Sequence, residues 1–433
     1  MILSNATAIV HDADTESSGD LAVDGALIAA PGARPEGETL DVSGCVITPG
    51  LVNAHHHLMQ SAFRTLPGTR GVPMAQWLPT MAAAYSRVGI TPELMRAAAA
   101  VGVAEGLLFG VTTVADHHLS WPAGMPTDDS VELARATAEA ARELGGRLAF
   151  VRGAARDEPS EAAASAEAIV EALLPGASGG VSDDGMLQLA VGPAGVHSDP
   201  RETFELLGEV AARHGLRRRT QANEQVDVAI ALEKYGRRPL ELLEEWGWLA
   251  PDVTLAHLCD VTEDEIARLA AAGITATHAP GCDVPMGWGI APVAALRDAG
   301  ITVGLGTSGG GSNDAGHLLA DARLAMQVSG LVGEQLPARE VIGMATAGSA
   351  AGLGRGELGH LRPGAAADLC VWDVSGVADA GVADPVAGLL WANPGRRPRH
   401  VIVAGRVVVR DYELVTGDAR TLASNLHRFQ EML

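Results

Sequence analysis

Three consecutive histidines, His55-His56-His57, close an apolar run that begins at Val46. Side chains alternate along a strand with a period of two, so His55 and His57 project to one side and His56 to the other. Two imidazoles placed that way are able to hold one metal ion through their ring nitrogens. His257 and His278 each follow another short apolar run, and Glu224 follows a third, in Gln221-Ala222-Asn223-Glu224. A carboxylate beside an activated water takes its proton and passes it to a leaving group. Histidines and a glutamate gathered at the ends of apolar runs point to metal-assisted hydrolysis.

Eight short runs recur as strand candidates, over 46–52, 111–115, 148–151, 187–191, 218–222, 253–256, 274–277 and 301–304. Helical patterns separate them, among them 91–108, 130–144, 160–173, 200–214 and 262–272. Strands alternating with helices predict a parallel sheet, and eight such units predict an α/β fold of the (β/α)8, TIM-like barrel type. Barrel chemistry sits at the C-terminal ends of the strands, where His55, His57, Glu224, His257 and His278 fall. The termini read differently. Asp24-Gly25 and Ala404-Gly405 are turn signals between short alternating runs. We expect residues 1–46 and 365–433 to form one composite β-sandwich domain, and residues 47–364 to form the catalytic barrel.

Composition narrows the partners. The 433 residues are 47% hydrophobic and 19% charged, which excludes a disordered chain. With 31 basic against 53 acidic residues, the net charge of −22 repels phosphate backbones and anionic lipid, so neither nucleic acid nor membrane is expected as a partner. The first residues lack the basic and apolar regions of a signal peptide. Cys45, Cys259, Cys282 and Cys370 are scattered and form no CxxC pair. Both features predict a cytoplasmic protein with free thiols. The glycine-rich stretch 306–314 lacks the GxxxxGK[ST] pattern of a phosphate-binding loop.

The motifs together carry a resemblance. Ile47-Thr48-Pro49-Gly50-Leu51-Val52-Asn53-Ala54-His55-His56-His57, Phe109-Gly110-Val111-Thr112-Thr113-Val114-Ala115-Asp116, His278-Ala279-Pro280, Gly304-Leu305-Gly306-Thr307 and Arg362-Pro363-Gly364-Ala365-Ala366-Ala367-Asp368 resemble the amidohydrolase superfamily over nearly the full length. The likeness is to its branch of triazine hydrolases, atrazine chlorohydrolase, 8-oxoguanine deaminase and related purine and pterin deaminases. The resemblance implies one zinc or iron ion per chain and a homo-oligomer. It also marks two departures. The position expected to hold a ligating histidine after the fifth strand holds Gln221, and the position of the ligating aspartate after the eighth holds Ser308. By analogy with the triazine hydrolase, His257 joins His55 and His57 as a ligand.

The resemblance further implies Glu224 as proton shuttle and His278 as a hydrogen-bond donor to substrate or water. Gln60, Trp77, His118, Trp121, His197 and Trp288 are the residues expected to touch a planar ring. The function read from these residues is hydrolysis, of the deaminase type, at a C–N or C–X bond of a small heterocycle such as a purine, pterin or triazine. Two alternatives stand beside it. One is a repurposed enzyme whose metal is absent or weakly bound, running acid–base chemistry through Glu224 and His278. The other is a non-catalytic binding protein with a degenerate site.

Overall fold

A computed structural model describes every residue except Ser178. Eight parallel strands follow in chain order: Leu51–His57, Val111–His118, Arg147–Ala154, Leu187–Pro193, Arg217–Ala222, Val253–His257, Thr275–His278 and Thr302–Leu305. Each pairs with the next. The last one continues into Ser308–Gly309, which pairs back onto the first strand with Ser308 opposite His56 and Gly309 opposite His57. The sheet therefore closes into a barrel at the histidine motif. Closure brings backbone against backbone, and a Cβ at Gly306 would lie 2.7 Å from the His55 Cβ. Only glycine fits that approach.

The expected helices are present with ends shifted by one to three residues, for physical reasons visible in each. Pro92–Leu108 begins with Thr91 accepting the Leu94 N–H and a proline in the first turn. Glu263–Ala272 has the reciprocal Thr262–Glu265 capping box. Thr127–Leu144 and Arg201–His214 end on left-handed Gly145 and Gly215. Their inner faces bury Leu107, Ala134, Ile169, Leu207 and Leu269 against the strands. Burial of that kind is worth about 25 cal/mol per Å² of apolar surface.

Two expectations are corrected. The run 46–52 is not one strand: Cys45–Pro49 belongs to the terminal sheet and Leu51–His57 to the barrel. Gly50 turns between them, where a Cβ would meet the Thr112 side chain at 2.2 Å. The C-terminal segment also contains an unforeseen helix, Ala419–Gln430, capped by Asp418. It packs Leu426 and Phe429 against a barrel-side cluster containing Met59, Leu94 and Met95.

Strands from both termini form a separate nine-stranded sheet, in which Leu369–Asp373 lies antiparallel to Cys45–Pro49. It has its own core, including Leu3, Ile9, Ile47, Val371 and Ile402. The Asp24-Gly25 and Ala404-Gly405 turns join antiparallel pairs there. A buried bidentate ion pair ties this sheet to the barrel: Arg147 on the third strand donates to both oxygens of Asp368, at 2.7 and 3.0 Å. Among the described residues no helix is long and apolar enough to cross a membrane.

Candidate active site

The first barrel strand is buried along its whole length. His56 points away from the axis, where its Nδ1 meets the Ser308 carbonyl. His55 and His57 share the other side with ring centroids 4.9 Å apart. His57 Nδ1 lies 2.7 Å from the His117 carbonyl, an arrangement that makes Nδ1–H the donor and leaves Nε2 with a free lone pair. His55 Nε2 is buried with no hydrogen-bond partner. Burial, with the neighbouring imidazoles of His57 and His257 second, holds the His55 pKa well below its ordinary value. Burial likewise brings His57 down to about 4. Both rings are neutral at pH 7.

His257 ends the sixth strand in a left-handed conformation, φ +77°. Such a backbone is costly for a non-glycine residue and persists only when its surroundings enforce it. Its ring stands 5.2 Å, edge to face, from that of His55. Nδ1 lies 2.6 Å from Asp283 Oδ1. Nε2 lies 3.0 Å from Gln221 Oε1 and 3.6 Å from Glu224 Oε1. Burial opposes the charged imidazole, but Asp283 and then Glu224 outweigh it and raise its pKa. A proton on His257 thus faces acceptors on both sides.

Glu224 caps the helix Gln225–Tyr235 just beyond the fifth strand and is 1% exposed. Its pKa is pushed up to about 7, by burial first, with the His257 charge opposing and Asp283 adding to the rise. Its Oε2 has no partner. The preceding Asn223, at φ +55°, is held by its N–H donating to Asp227 Oδ2 at 3.0 Å. His278 lies with Nδ1 3.7 Å from Asp283 Oδ2, and burial lowers its pKa to about 4.

Above these groups opens a cavity of about 780 Å³. His57, Gln221, Glu224 and Ser308 reach its wall, while His55, His257 and His278 lie behind them. Gln60, Trp77, Trp121, His197 and Trp288 also line it. Gln60 donates to the Tyr85 hydroxyl at 3.1 Å and leaves Oε1 buried without a partner. Trp77 Nε1 donates to the Gly311 carbonyl at 2.9 Å and Trp121 Nε1 to Gly153 at 2.7 Å, so both ring faces are fixed. Trp288 stands edge-on to His257 at 5.2 Å. His118 does not line the cavity. It sits behind Trp121, ring centroids 4.5 Å apart, and stacks on Phe150.

Three residues of this site had no sequence signal that singled them out. Asp283, fully buried on the short helix Pro280–Met286, reads in the sequence as an ordinary first-turn acid. Tyr85 and Arg156 lie in segments with no motif. Asp283 also belongs to a cluster with His257 and Cys282 whose ligand atoms fall within 4.8 Å of one another, the one such cluster of three among the described residues. It is a poor cation site. Asp283 Oδ1 is engaged by His257 Nδ1, and burial raises the Cys282 thiol pKa, so its sulfur stays protonated. The cluster is better read as a hydrogen-bonded support behind His257.

Comparison with known proteins agrees with this architecture. The amidohydrolase family profile matches residues 46–408. The chain is 33% identical over 421 residues to 8-oxoguanine deaminase of Pseudomonas aeruginosa, covering 93% of this chain and 92% of that protein. It is 33% identical to the 5-methylthioadenosine/S-adenosylhomocysteine deaminase of Halobacterium salinarum, covering 95% and 93%. In three dimensions it superposes on the zinc-complexed atrazine chlorohydrolase of Arthrobacter aurescens with a TM-score of 0.91 at 34% identity, over 99% of both chains.

Proposed function

The chain belongs to the amidohydrolase family, and from that premise we propose that it is a metal-dependent hydrolase that replaces an amino or other leaving group on a planar nitrogen heterocycle. The relatives named above act on purine and triazine rings, which supports the substrate class. The observation that carries the reading is the unpartnered, buried Nε2 of His55 beside His57 and His257, with a near-neutral Glu224 next to them. A buried polar atom without a partner calls for an explanation, and a cation supplies one.

We assign His55, His57 and His257 as the ligands of one divalent ion, with zinc favoured by an all-imidazole donor set and by the zinc in the superposed enzyme. When bound, the ion supplies the Lewis acidity that makes water nucleophilic at neutral pH. Gln221 offers a neutral carbonyl oxygen and Ser308 a hydroxyl, so neither adds the negative charge that an aspartate would. Asp283 restores part of it from behind His257.

The proton traffic belongs to Glu224. A carboxyl group titrating near 7 accepts the water proton and gives it up again to a ring nitrogen or leaving group at the same pH. His278, neutral at pH 7, serves as a hydrogen-bond donor to the oxygen that develops charge. The indoles of Trp77, Trp121 and Trp288 present fixed apolar surface for a flat ring, and Gln60 lines the same space.

We further assign the chain to the cytoplasm, supported by four free cysteines, and expect a homo-oligomer. The deciding experiment is elemental analysis of chelator-free protein together with a turnover screen over aminopurines, aminopterins and substituted triazines. One equivalent of divalent metal, and turnover lost on chelation and regained on metal return, is the expected result. Turnover by metal-free protein would establish the acid–base alternative instead.

A further inference from the structure

We propose that Arg219 is an electrostatic positioning residue of the metal site. Its guanidinium, fixed in the barrel bore beneath the histidines, holds zinc affinity down and draws anionic ligands to the bound ion. This assignment rests on the metal-dependent reading above and deepens it.

Arg219 lies on the fifth strand two residues before Gln221, so its side chain enters the bore on the same side, one layer lower. The guanidinium spans the barrel. Nη2 donates to the carbonyl of Ala54, the residue before His55 on the first strand. The same nitrogen lies 3.5 Å from the hydroxyl of Thr277, the residue before His278 on the seventh. Nη1 donates to the Gly352 carbonyl at 3.1 Å. The charge is thus held among the strands that carry the site.

Its partners set it apart. Five arginines are buried among the described residues: Arg147, Arg152, Arg219, Arg355 and Arg396. Four of them face a carboxylate, on Asp368, Asp157, Glu357 and Asp379. Arg219 faces only carbonyls and a hydroxyl. Burial first, then the Arg217 charge, lowers its pKa to about 9, so it remains a cation at pH 7. A buried charge without a counter-charge is costly, and a neutral donor would serve the same carbonyls. The positive field itself is what a neutral residue would not supply.

That field acts where little negative charge opposes it. The ligands His55, His57 and His257 are imidazoles, and Gln221 and Ser308 beside them carry no charge. Asp283 lies behind His257, and Glu224 titrates near 7. Asp283 and Arg219 therefore bias the site with opposite sign. The guanidinium repels an arriving dication. Once the ion is in place, the same field favours an anion on it over a neutral molecule. At an effective dielectric of about 20, unit charges on the order of 10 Å apart change each other's binding by about tenfold, and a dication feels twice that free energy.

The test compares wild type with Arg219→Met, Arg219→Gln and Arg219→Lys. Zinc dissociation constants come from competition with a chromophoric chelator. Azide dissociation constants come from the visible spectrum of the cobalt-loaded proteins. Both neutral variants should bind zinc about ten- to a hundredfold more tightly and azide about tenfold more weakly. Arg219→Lys, which keeps the charge, should stay close to wild type in both. A purely structural arginine would move the two constants together, with every replacement weakening both. Denaturant melts of the metal-free proteins show which variants fold, and Arg219→Gln carries the test where Arg219→Met does not. Zinc affinity unchanged or weakened in a folded neutral variant overturns the assignment, as does unfolding of both. The two readings fail separately. Wild type that takes up no stoichiometric zinc refutes the metal reading itself, whereas stoichiometric zinc with no gain in the neutral variants refutes the role of Arg219 alone.

Discussion

Replacing Asp283 with asparagine keeps the shape and one acceptor oxygen but removes the charge behind His257. The Asp283 Oδ1 to His257 Nδ1 distance is 2.6 Å and both side chains are fully buried. A hydrogen bond to a charged partner contributes about 1.5–3 kcal/mol. Loss of an outer partner of a metal-bound histidine costs about 10–100-fold in metal affinity, which converts to about 1.4–2.8 kcal/mol. The two routes agree, so Asp283→Asn should weaken zinc binding by about one to two decades. A pH dependence follows. In the metal-free chain Asp283 and Glu224 hold the His257 pKa above 6.5 against burial, so a proton competes with the ion there. Below that pKa, each pH unit costs wild type about tenfold in affinity. Asp283→Asn lowers the imidazole pKa and relieves that competition. The gap between the two proteins is therefore widest at high pH and narrows as pH falls. Zinc dissociation constants from competition with a chromophoric chelator, measured across the pH range for both proteins, test this. Equal affinity at high pH would refute Asp283 as the support of a metal-binding His257, and a gap constant with pH would refute the competing proton.

Other outcomes are expected along the same lines. Glu224→Gln should lower turnover by at least about 100-fold, while calorimetry still detects ring binding. Gln221→His combined with Ser308→Asp should increase the metal retained after dialysis, read by elemental analysis, because an imidazole and a carboxylate replace two weaker donors. Burial raises Asp116 to about 7, with the Leu58 N–H opposing. Its native form favours the neutral acid, so wild type should lose stability progressively as pH rises from the unfolded pKa of 3.8 to about 7, with the loss complete above that, and denaturant melts of Asp116→Asn should lack that loss. Asp368→Ala strands the buried Arg147 cation and should cost about 3–5 kcal/mol in a denaturant titration.

Much of this architecture was legible beforehand because it depends on local pattern. Strand–helix alternation follows from the periodicity of apolar residues, and the period of two put His55 and His57 side by side. The misread run at 46–52 shows the limit of that logic. An apolar stretch looks the same whether one sheet or two bury it, and the break at Gly50 is imposed by Thr112, a residue 62 positions away in the chain. The helix Ala419–Gln430 has one narrow apolar stripe whose partners, such as Met95, lie more than 300 residues back.

The sequence by itself determined the barrel, the histidine pair and the place of Glu224, which are facts of residue type and spacing, and its resemblance to the amidohydrolases marked the departures at Gln221 and Ser308. Only the tertiary structure decided which polar atoms meet. It set His118 behind Trp121 rather than in the cavity, brought Asp283 from after the seventh strand to His257 at the end of the sixth, and left Arg156 unpaired at the rim. Contacts of that kind depend on distances of a few ångströms between segments far apart in the chain. Burial, which the closed barrel alone produces, then turns an ordinary glutamate into one that titrates near 7.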